Sequence, residues 1–571
     1  MPDAARRTPG AALRSGLALL SLAALLVLPS RAHSAPAATV VGPTGRAMDA
    51  LLGSSFPARE PGAAVIVIKD GQALLRKGYG LADLEQGVPV APEMRFRVGS
   101  VTKQFTATAI LMLVAEGKLA LDDPITKFLP GYPTQGHTIT IEHLLTHTSG
   151  IRSYTDMPQW LPRWREDMPL DTLIAMFKDQ PMDFAPGEKW AYDNSGYVLL
   201  GAILEKVAGR PYADFVRDRI FAPLGMTHTA YDTTESIVPG RVPGYQKGSD
   251  GWTHAPYLSM TQPYAAGALM SSVDDLAKWN AALDAGTLVA PALLQRAWTP
   301  YRLKDGTSTG YGYGWTMGTV QDHPTVEHGG GINGFVCETL RLPQDHVYVA
   351  ILTNRAADQP SPERLAVLLA ALAIGKPYAE PKPVALTAGQ LDALVGVYRI
   401  DDKERRVITR TGDTLFSQRS GGPRRPLLAL SPTEFTMKDS FSRYAFERDA
   451  AGKVTAITAR GRYGPPEVAT RSDEPVPVER TAARLSAAQL DRLVGRYELA
   501  PGFVLAVTRE GEHLMSQATG QDKVEVFPES EMRCFLKVVD AQLDFTMDAG
   551  GRVTGLVLHQ GGQDIKARRL D

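Results

Sequence analysis

Two cysteines, Cys337 and Cys534, are all that 571 residues contain, so no disulfide framework can staple this fold, and both thiols are expected to be free and buried. An excess of either charge is missing too. Lys+Arg 61 against Asp+Glu 62 leaves a net charge of -1, which removes the electrostatic case for a nucleic-acid partner or an acidic membrane surface. The apolar run Leu17 to Leu28 is too short to span a bilayer, which takes about 20 residues. Gly329-Gly330-Gly331 lacks the strand-to-helix setting and the lysine of a phosphate-binding loop, which argues against nucleotides. His143 and His147 have the spacing of a shared metal, but no metalloprotease glutamate lies between them and no third ligand stands out, so they read as helix-end hydrogen bonders. No metal and no organic cofactor is expected.

What is present is the composition of folded protein, 44% hydrophobic and 22% charged, in a chain longer than one core usually organises. Arg6, Arg7 and Arg14 precede the Leu17 to Leu28 run, and Pro29 and small residues follow it. That order is a secretory signal. Residues 1–37 are assigned to it, with cleavage after Ala32 or Ala37; a retained membrane anchor is the alternative. The mature protein is then periplasmic or secreted, with no stable membrane span.

The first sign of chemistry lies at Gly99-Ser100. An apolar run to Glu116 and a stopping Gly117 read as a helix with Ser100 at or near its N-cap. A capping pattern calls for Glu or Gln three residues on. The chain has Lys103, a cation in the first turn that the helix dipole disfavours by roughly 0.3 to 1 kcal/mol. Misfits of this kind mark functional sites, and a hydroxyl and an amine three apart on a helix share a face and can exchange a proton. The plain alternative is a capping serine beside a surface lysine.

Elsewhere, Ala63 to Ile68 and Ala73 to Tyr79 flank Asp70-Gly71, a hairpin signal. The turn Pro186-Gly187 and an apolar helix from Val198 to Val207 leave Tyr192 and Asn194 on a loop, where working side chains concentrate. Alone, that pair reads equally well as a packed tyrosine and a capping asparagine. Tyr311 to Trp315 reads as an aromatic strand, Val336 to Leu342 and Val347 to Leu352 as paired strands, and Asp274 to Leu283 and Glu363 to Ala373 as helices. Glycines beside His328 on an edge strand would let a ligand approach the backbone closely and pair as an added strand.

Taken in order, Ser100-x-x-Lys103, Tyr192-x-Asn194 and His328-Gly329-Gly330, with Leu145-Thr146-His147-Thr148-Ser149-Gly150, Pro186-Gly187 and Gly267 to Ser271 between them, resemble the penicillin-recognising serine hydrolases. The branch is that of class C β-lactamases, D-Ala-D-Ala carboxypeptidases, D-aminopeptidases and related esterases. The resemblance implies an α/β (α+β) domain with a central antiparallel sheet and a helical lobe. It further implies Ser100 as nucleophile, Lys103 as its base, Tyr192 as proton shuttle, and His328 as support for the Tyr192 network or as partner to a substrate carboxylate. Asn194, Gly329, Gly330 and Gly331 would bind substrate, and the backbone N–H groups of Ser100 and Gly331 would form the oxyanion hole. β-Lactamases of this branch usually carry lysine where His328 stands. That shifts the expectation toward a peptidase or esterase for a small-molecule or short-peptide substrate, D-amino-acid or cell-wall derived, with a β-lactamase as the alternative. The reading from another class is an inactive receptor for wall peptides or a protein partner; oligomeric state is left open.

The rest of the chain repeats itself. Leu386 to Tyr398 recurs as Leu485 to Tyr497, an offset of 485 − 386 = 99 that also relates Gly412 to Gly511 and Phe446 to Phe545. Each copy has a short leading helix and then short alternating runs separated by Gly and Asp turns, the pattern of a small antiparallel β-barrel. The expected division is a hydrolase domain at 38–375, a linker at 376–385, one barrel at 386–472, a linker at 473–484 and a second barrel at 485–571. This is similar to the D-aminopeptidase architecture, in which a barrel loop restricts the active site. Arg419 to Arg425 and Ala518 to Lys523 differ between the copies and are the candidates for such a loop, with ordinary hairpin tips as the alternative.

Overall fold

The computed structural model describes residues 38–571 apart from 249, 357–359, 403, 478–479, 481, 501–502, 520, 522 and 561–562. The signal assignment lies outside the described residues. Among those described, no helix is long and apolar enough to cross a membrane.

Seven strands build the central sheet: β1 (Thr39–Val40), β2 (Ala63–Lys69), β3 (Gln72–Tyr79), β4 (Thr316–Val320), β5 (His323–Ile332), β6 (Phe335–Leu342) and β7 (Val347–Thr353), in the antiparallel order β1-β3-β2-β7-β6-β5-β4. The hairpin between β2 and β3 turns on Asp70 (φ 51°) and Gly71 (φ 76°), two left-handed residues whose twist matches the strands they join. β2 reads as an unbroken apolar run because both its faces are covered. Ala63, Val65 and Val67 pack with helices α1 (Gly42–Ser55) and α6 (Pro362–Ala373), while Ala64 and Ile66 pack with the helical lobe. That lobe holds α2 (Thr102–Ala115), α3 (Ile141–Leu145), α4 (Asn194–Ala208) and α5 (Val273–Asp284). Every residue of α2 from Thr102 to Leu113 is buried, so this helix runs through the middle of the domain, with Phe105 against Trp279 of α5 at 4.3 Å.

Ser100 lies next to the N-cap position of α2, Val101, within a one-turn 3-10 segment, Gly99–Val101, and no side chain caps the helix, so its hydroxyl stays available. Two local expectations are corrected. Asn194 is the first residue of α4, not a loop residue, because Asp193 takes the N-cap and accepts from the Gly196 N–H. Tyr311 to Trp315 is a tight turn, closed by the Gly312 N–H on the Trp315 carbonyl. Gly314, at φ 84°, lies there against the Lys103 carbonyl, where a Cβ would come within 2.7 Å.

Two closed eight-stranded antiparallel barrels follow, with strands between Gly396 and Ser472 and between Gly495 and Arg569. Their contacts repeat as their sequences do. Capping boxes at Thr387/Gln390 and Ser486/Gln489 start the two leading helices. Buried Tyr398 donates to the Leu394 carbonyl (2.7 Å) and Tyr497 to that of Leu493 (2.8 Å), while Arg410 pairs with Asp392 and Arg509 with Asp491. Cys337 and Cys534 are free and buried.

Arg419 to Arg425 forms the tip between two strands of the first barrel, where the Gln418 amide donates to the Gly422 carbonyl. The matching stretch of the second barrel includes residues 520 and 522, outside the described residues. The first barrel meets the sheet domain through another hairpin, residues 461–466, and through Phe441, which packs on Tyr378 (4.6 Å) and under Arg364 (5.1 Å).

Tyr398→Phe and Tyr497→Phe each leave one carbonyl, of Leu394 or Leu493, without its donor, so each is expected to cost about 1 kcal/mol. Because the geometry repeats, the two losses should match. Denaturant titration of the two variants checks both size and equality.

Candidate active site

Two glycines decide where the nucleophile turn sits. A Cβ on Gly330 would lie 2.0 Å from the Val98 carbonyl, and one on Gly99, at φ 48°, would lie 2.9 Å from the Gly331 carbonyl. Only bare backbone can make these approaches, and they bring the Gly99–Val101 turn against β5. Cys337 fastens the same place, its thiol donating to the Val98 carbonyl at 3.1 Å. The backbone amides of Ser100 and Gly331 thus belong to two segments in contact. β4 pairs with β5 only as far as Glu327, whereas β6 follows β5 to Ile332. Residues 328–332 therefore present a strand edge that β4 does not cover.

Lys103 is fully buried, and its amine touches three oxygens: Ser100 Oγ at 3.1 Å, Asn194 Oδ1 at 2.8 Å and the Ala266 carbonyl at 2.9 Å. Burial pulls its pKa down to about 7, against the upward pull of Asp193. The contacts suit the neutral amine. An amide oxygen and a carbonyl can only accept, so the two N–H groups of a neutral amine go to Asn194 and Ala266 and its lone pair is left for the Ser100 O–H. Asn194 is held in turn by its own amide donating to Thr155 Oγ1 at 3.0 Å.

Tyr192 lies on the same cleft, its ring 4.8 Å from the Lys103 amine. Its hydroxyl is enclosed and approaches that of Ser100 without closing a hydrogen bond of ordinary geometry. Burial pushes the phenol pKa up, with the Ser100 contact opposing and Asp193 adding to the rise.

His328 stands at the start of the uncovered edge, its ring 6.2 Å from that of Tyr192. Both nitrogens are engaged: Nδ1 donates to the Gly329 carbonyl (2.6 Å), which fixes the tautomer, and Nε2 accepts from Tyr311 (2.8 Å). Burial and the neighbouring Lys103 pull its pKa down to about 4, so the ring is neutral. The role of partner to a substrate carboxylate does not fit this state, and the hydrogen-bonded neighbour is Tyr311 rather than Tyr192.

A model of the family described as Beta-lactamase matches residues 52–374, more than half of the chain and every residue of this cleft. The chain belongs to the beta-lactamase family. Residues 479–569 match a domain of unknown function (DUF3471). Penicillin-binding protein 4* of Bacillus subtilis (strain 168) is 28% identical over 400 residues, covering 66% of this chain and 87% of that protein. The octameric penicillin-binding protein homologue from Pyrococcus abyssi is 25% identical with a TM-score of 0.53, covering 74% of this chain and 98% of that one. D-amino acid amidase from Ochrobactrum anthropi SV3, complexed with L-phenylalanine amide, is 25% identical with a TM-score of 0.52, covering 59% and 98%.

Three residues of this family member's cleft were not singled out as site residues from the sequence. Tyr311 arrives from the glycine-rich turn, whose Tyr-Gly-Tyr-Gly spacing was the available signal. Asp193, the buried N-cap of α4, has its pKa raised to about 7 by burial, partly offset by the Gly196 and Ser195 N–H groups. His147 follows α3 in the left-handed region (φ 59°) and packs on Tyr192 (4.4 Å), Tyr311 (4.7 Å) and Tyr197 (5.2 Å). It accepts the Asp193 N–H at Nδ1, which leaves the proton on an unpartnered Nε2. Among the described residues no group of three or more His, Cys, Asp or Glu could hold a metal ion. His143 instead completes the capping box of α3 with Thr140.

Gly330→Ala forces a Cβ against backbone that has nowhere to yield. It should lower the stability by the about 1 to 3 kcal/mol typical of overpacking, and the melting temperature with it. At Gly331 a Cβ would meet nothing within 4 Å, so Gly331→Ala should melt with the parent. Thermal unfolding of the pair tests whether contact with the nucleophile turn sets the glycine requirement.

Proposed function

We propose that the protein is an exported serine hydrolase that forms an acyl-enzyme at Ser100 on amide or ester bonds of small substrates, D-amino-acid amides and short peptides foremost. The observation that carries this reading is the buried Lys103 amine, hydrogen-bonded to Ser100 Oγ and held at a pKa of about 7. A serine alcohol needs a base near neutrality, and this amine is one.

In the proposed reaction Lys103 takes the Ser100 proton as Oγ attacks the substrate carbonyl carbon. The carbonyl electron pair moves to oxygen, where the Ser100 and Gly331 N–H groups would receive it; removing one such donor typically costs about 2.7 to 4 kcal/mol. Collapse of the adduct expels the amine or alcohol, which takes a proton through Tyr192. Water then attacks the acyl carbon, gives its proton to the same network and frees the acid. Asn194 would orient the substrate amide, and the uncovered edge at 328–332 would pair with its backbone.

The neutral, fully engaged His328 favours an amidase, aminopeptidase or esterase over a carboxypeptidase or β-lactamase, since it offers no cation to a substrate carboxylate at that position. The amidase likeness points the same way. Assaying D-phenylalanine amide, L-phenylalanine amide, a short acyl ester, a D-Ala-D-Ala peptide and a chromogenic cephalosporin decides among them; turnover confined to the last two would reverse the preference.

Ser100→Ala is expected to abolish covalent labelling by a fluorophosphonate while folding is retained, because the hydroxyl caps no helix. The labelling rate of the parent should rise with pH. Lys103 accepts a proton only when neutral, so the rate is low below about pH 7, climbs through it and levels off above; Asp193, raised by burial to about 7, titrates in the same window, and the step belongs to the pair. His328, titrating at about 4, and His147, held well below the usual histidine range by burial, add no step between these limits. A profile flat across neutrality would remove Lys103 as the base.

A further inference from the structure

The strand that carries the candidate site has a second face, and the first barrel grips it. Residues alternate along β5: Val326 joins the helical-lobe core and Gly330 meets Val98, whereas Glu327 points the other way. There Arg462, from the 461–466 hairpin of the first barrel, donates through Nη2 to both Glu327 oxygens (2.8 and 2.7 Å), and both side chains are almost wholly buried. The same guanidinium donates to the Thr319 carbonyl of β4 (3.1 Å) and to Glu363 at the start of α6 (3.1 Å). Tyr463 donates to Glu363 (2.9 Å), its ring lying where a Cβ on Gly318 would come within 2.9 Å.

Two further observations single out this contact. Glu327 is the last residue of β5 that β4 pairs, so the clamp falls where the strand becomes the uncovered edge. Glu338, also buried, lies opposite Gly329 in the β5–β6 register, one of its oxygens 2.8 Å from where a Gly329 Cβ would be. Two buried carboxyl groups thus sit behind His328 to Gly331, and Arg462 is a cation that reaches both fields: it bonds Glu327 and opposes the rise in pKa that burial and Glu327 impose on Glu338. The duplication supplies a comparison within the chain. Where the first copy has six residues, 461–466, between its paired strands, the second has Gly561-Gly562, with neither arginine nor tyrosine.

We infer that Arg462 is a positioning residue for the hydrolase site: the first barrel sets the cleft's rate from behind the sheet, by clamping β5 through Glu327, rather than by a loop laid over the cleft. The inference rests on the reading of Ser100 and Gly331 given above.

Full-length R462M, R462K and the double variant E327Q/R462M test it. The readouts are the fluorophosphonate labelling rate of Ser100 and kcat and KM on p-nitrophenyl acetate, normalised to the fraction of protein that takes the label, so that simple unfolding does not register. R462M should lower labelling rate and kcat by about 10- to 100-fold, the scale of an ångström's misplacement, with KM changed less. R462K, which keeps a cation for Glu327, should recover most of that loss. The double variant removes the buried Glu327 charge that R462M leaves unpaired and serves if R462M does not fold; it should fold yet stay about tenfold slow. A folded double variant, or a folded R462M, that works at the parent rate overturns the inference alone. A parent protein that takes no label at Ser100 overturns the reading of the site and this inference with it.

Discussion

Everything in the cleft depends on an amine shut away from water. A lysine with no solvent access must either find acceptors for a full positive charge or lose its proton, and the oxygens around Lys103 divide into two that can only accept and one hydroxyl that can also donate. That division accommodates the neutral amine, and burial favours it. Burial also keeps the neighbourhood poor in free charge: it is the main reason that His328 and His147 stay neutral. A permanent anion bonded to the amine would raise its pKa and undo the arrangement. Asp193 exerts that pull, yet its carboxylate is turned toward the N–H groups that start α4.

The glycines serve the same end by different means. Gly99 within the nucleophile turn, and Gly314 and Gly330 outside it, let two separate segments touch the turn and helix that carry Ser100 and Lys103, and backbone alone fits at each point. A site assembled from a turn, a helix end and a strand 228 residues away (328 − 100) would otherwise be held apart by its own side chains. The apolar helix α2 supplies the rigid member against which the others are set.

Much of this was legible in the chain. The Asp70-Gly71 hairpin, the 99-residue repeat and the order of the three short motifs each rest on local rules, which a sequence states directly. What escaped notice depends on partners distant along the chain. Tyr311 is indistinguishable from any aromatic of a glycine-rich turn until its hydroxyl is seen on His328. His147 was read as a helix-end residue, and its backbone does leave α3, but its ring belongs to a cluster of tyrosines from three segments. Ser100 reads as at or near a cap, and composition does not tell the 3-10 turn that sets it one residue before Val101 from a capped start. Arg462 left no periodicity at all; only its replacement by glycine in the second copy set it apart, and that comparison carries meaning once the buried carboxylates are seen.

The uncovered edge at 328–332 carries a consequence for handedness. A peptide that pairs with such an edge has its carbonyls and N–H groups fixed by the ladder, so inverting one Cα cannot move the backbone and instead swings the side chain through the plane of the sheet. Mirror-image substrates then present the same scissile bond with their side chains on opposite sides. The two faces of β5 are unlike here: on one His328 meets Tyr311 and the helical lobe, on the other the first barrel grips Glu327. Enantiomers paired with this edge would therefore turn their side chains toward faces built by different parts of the chain.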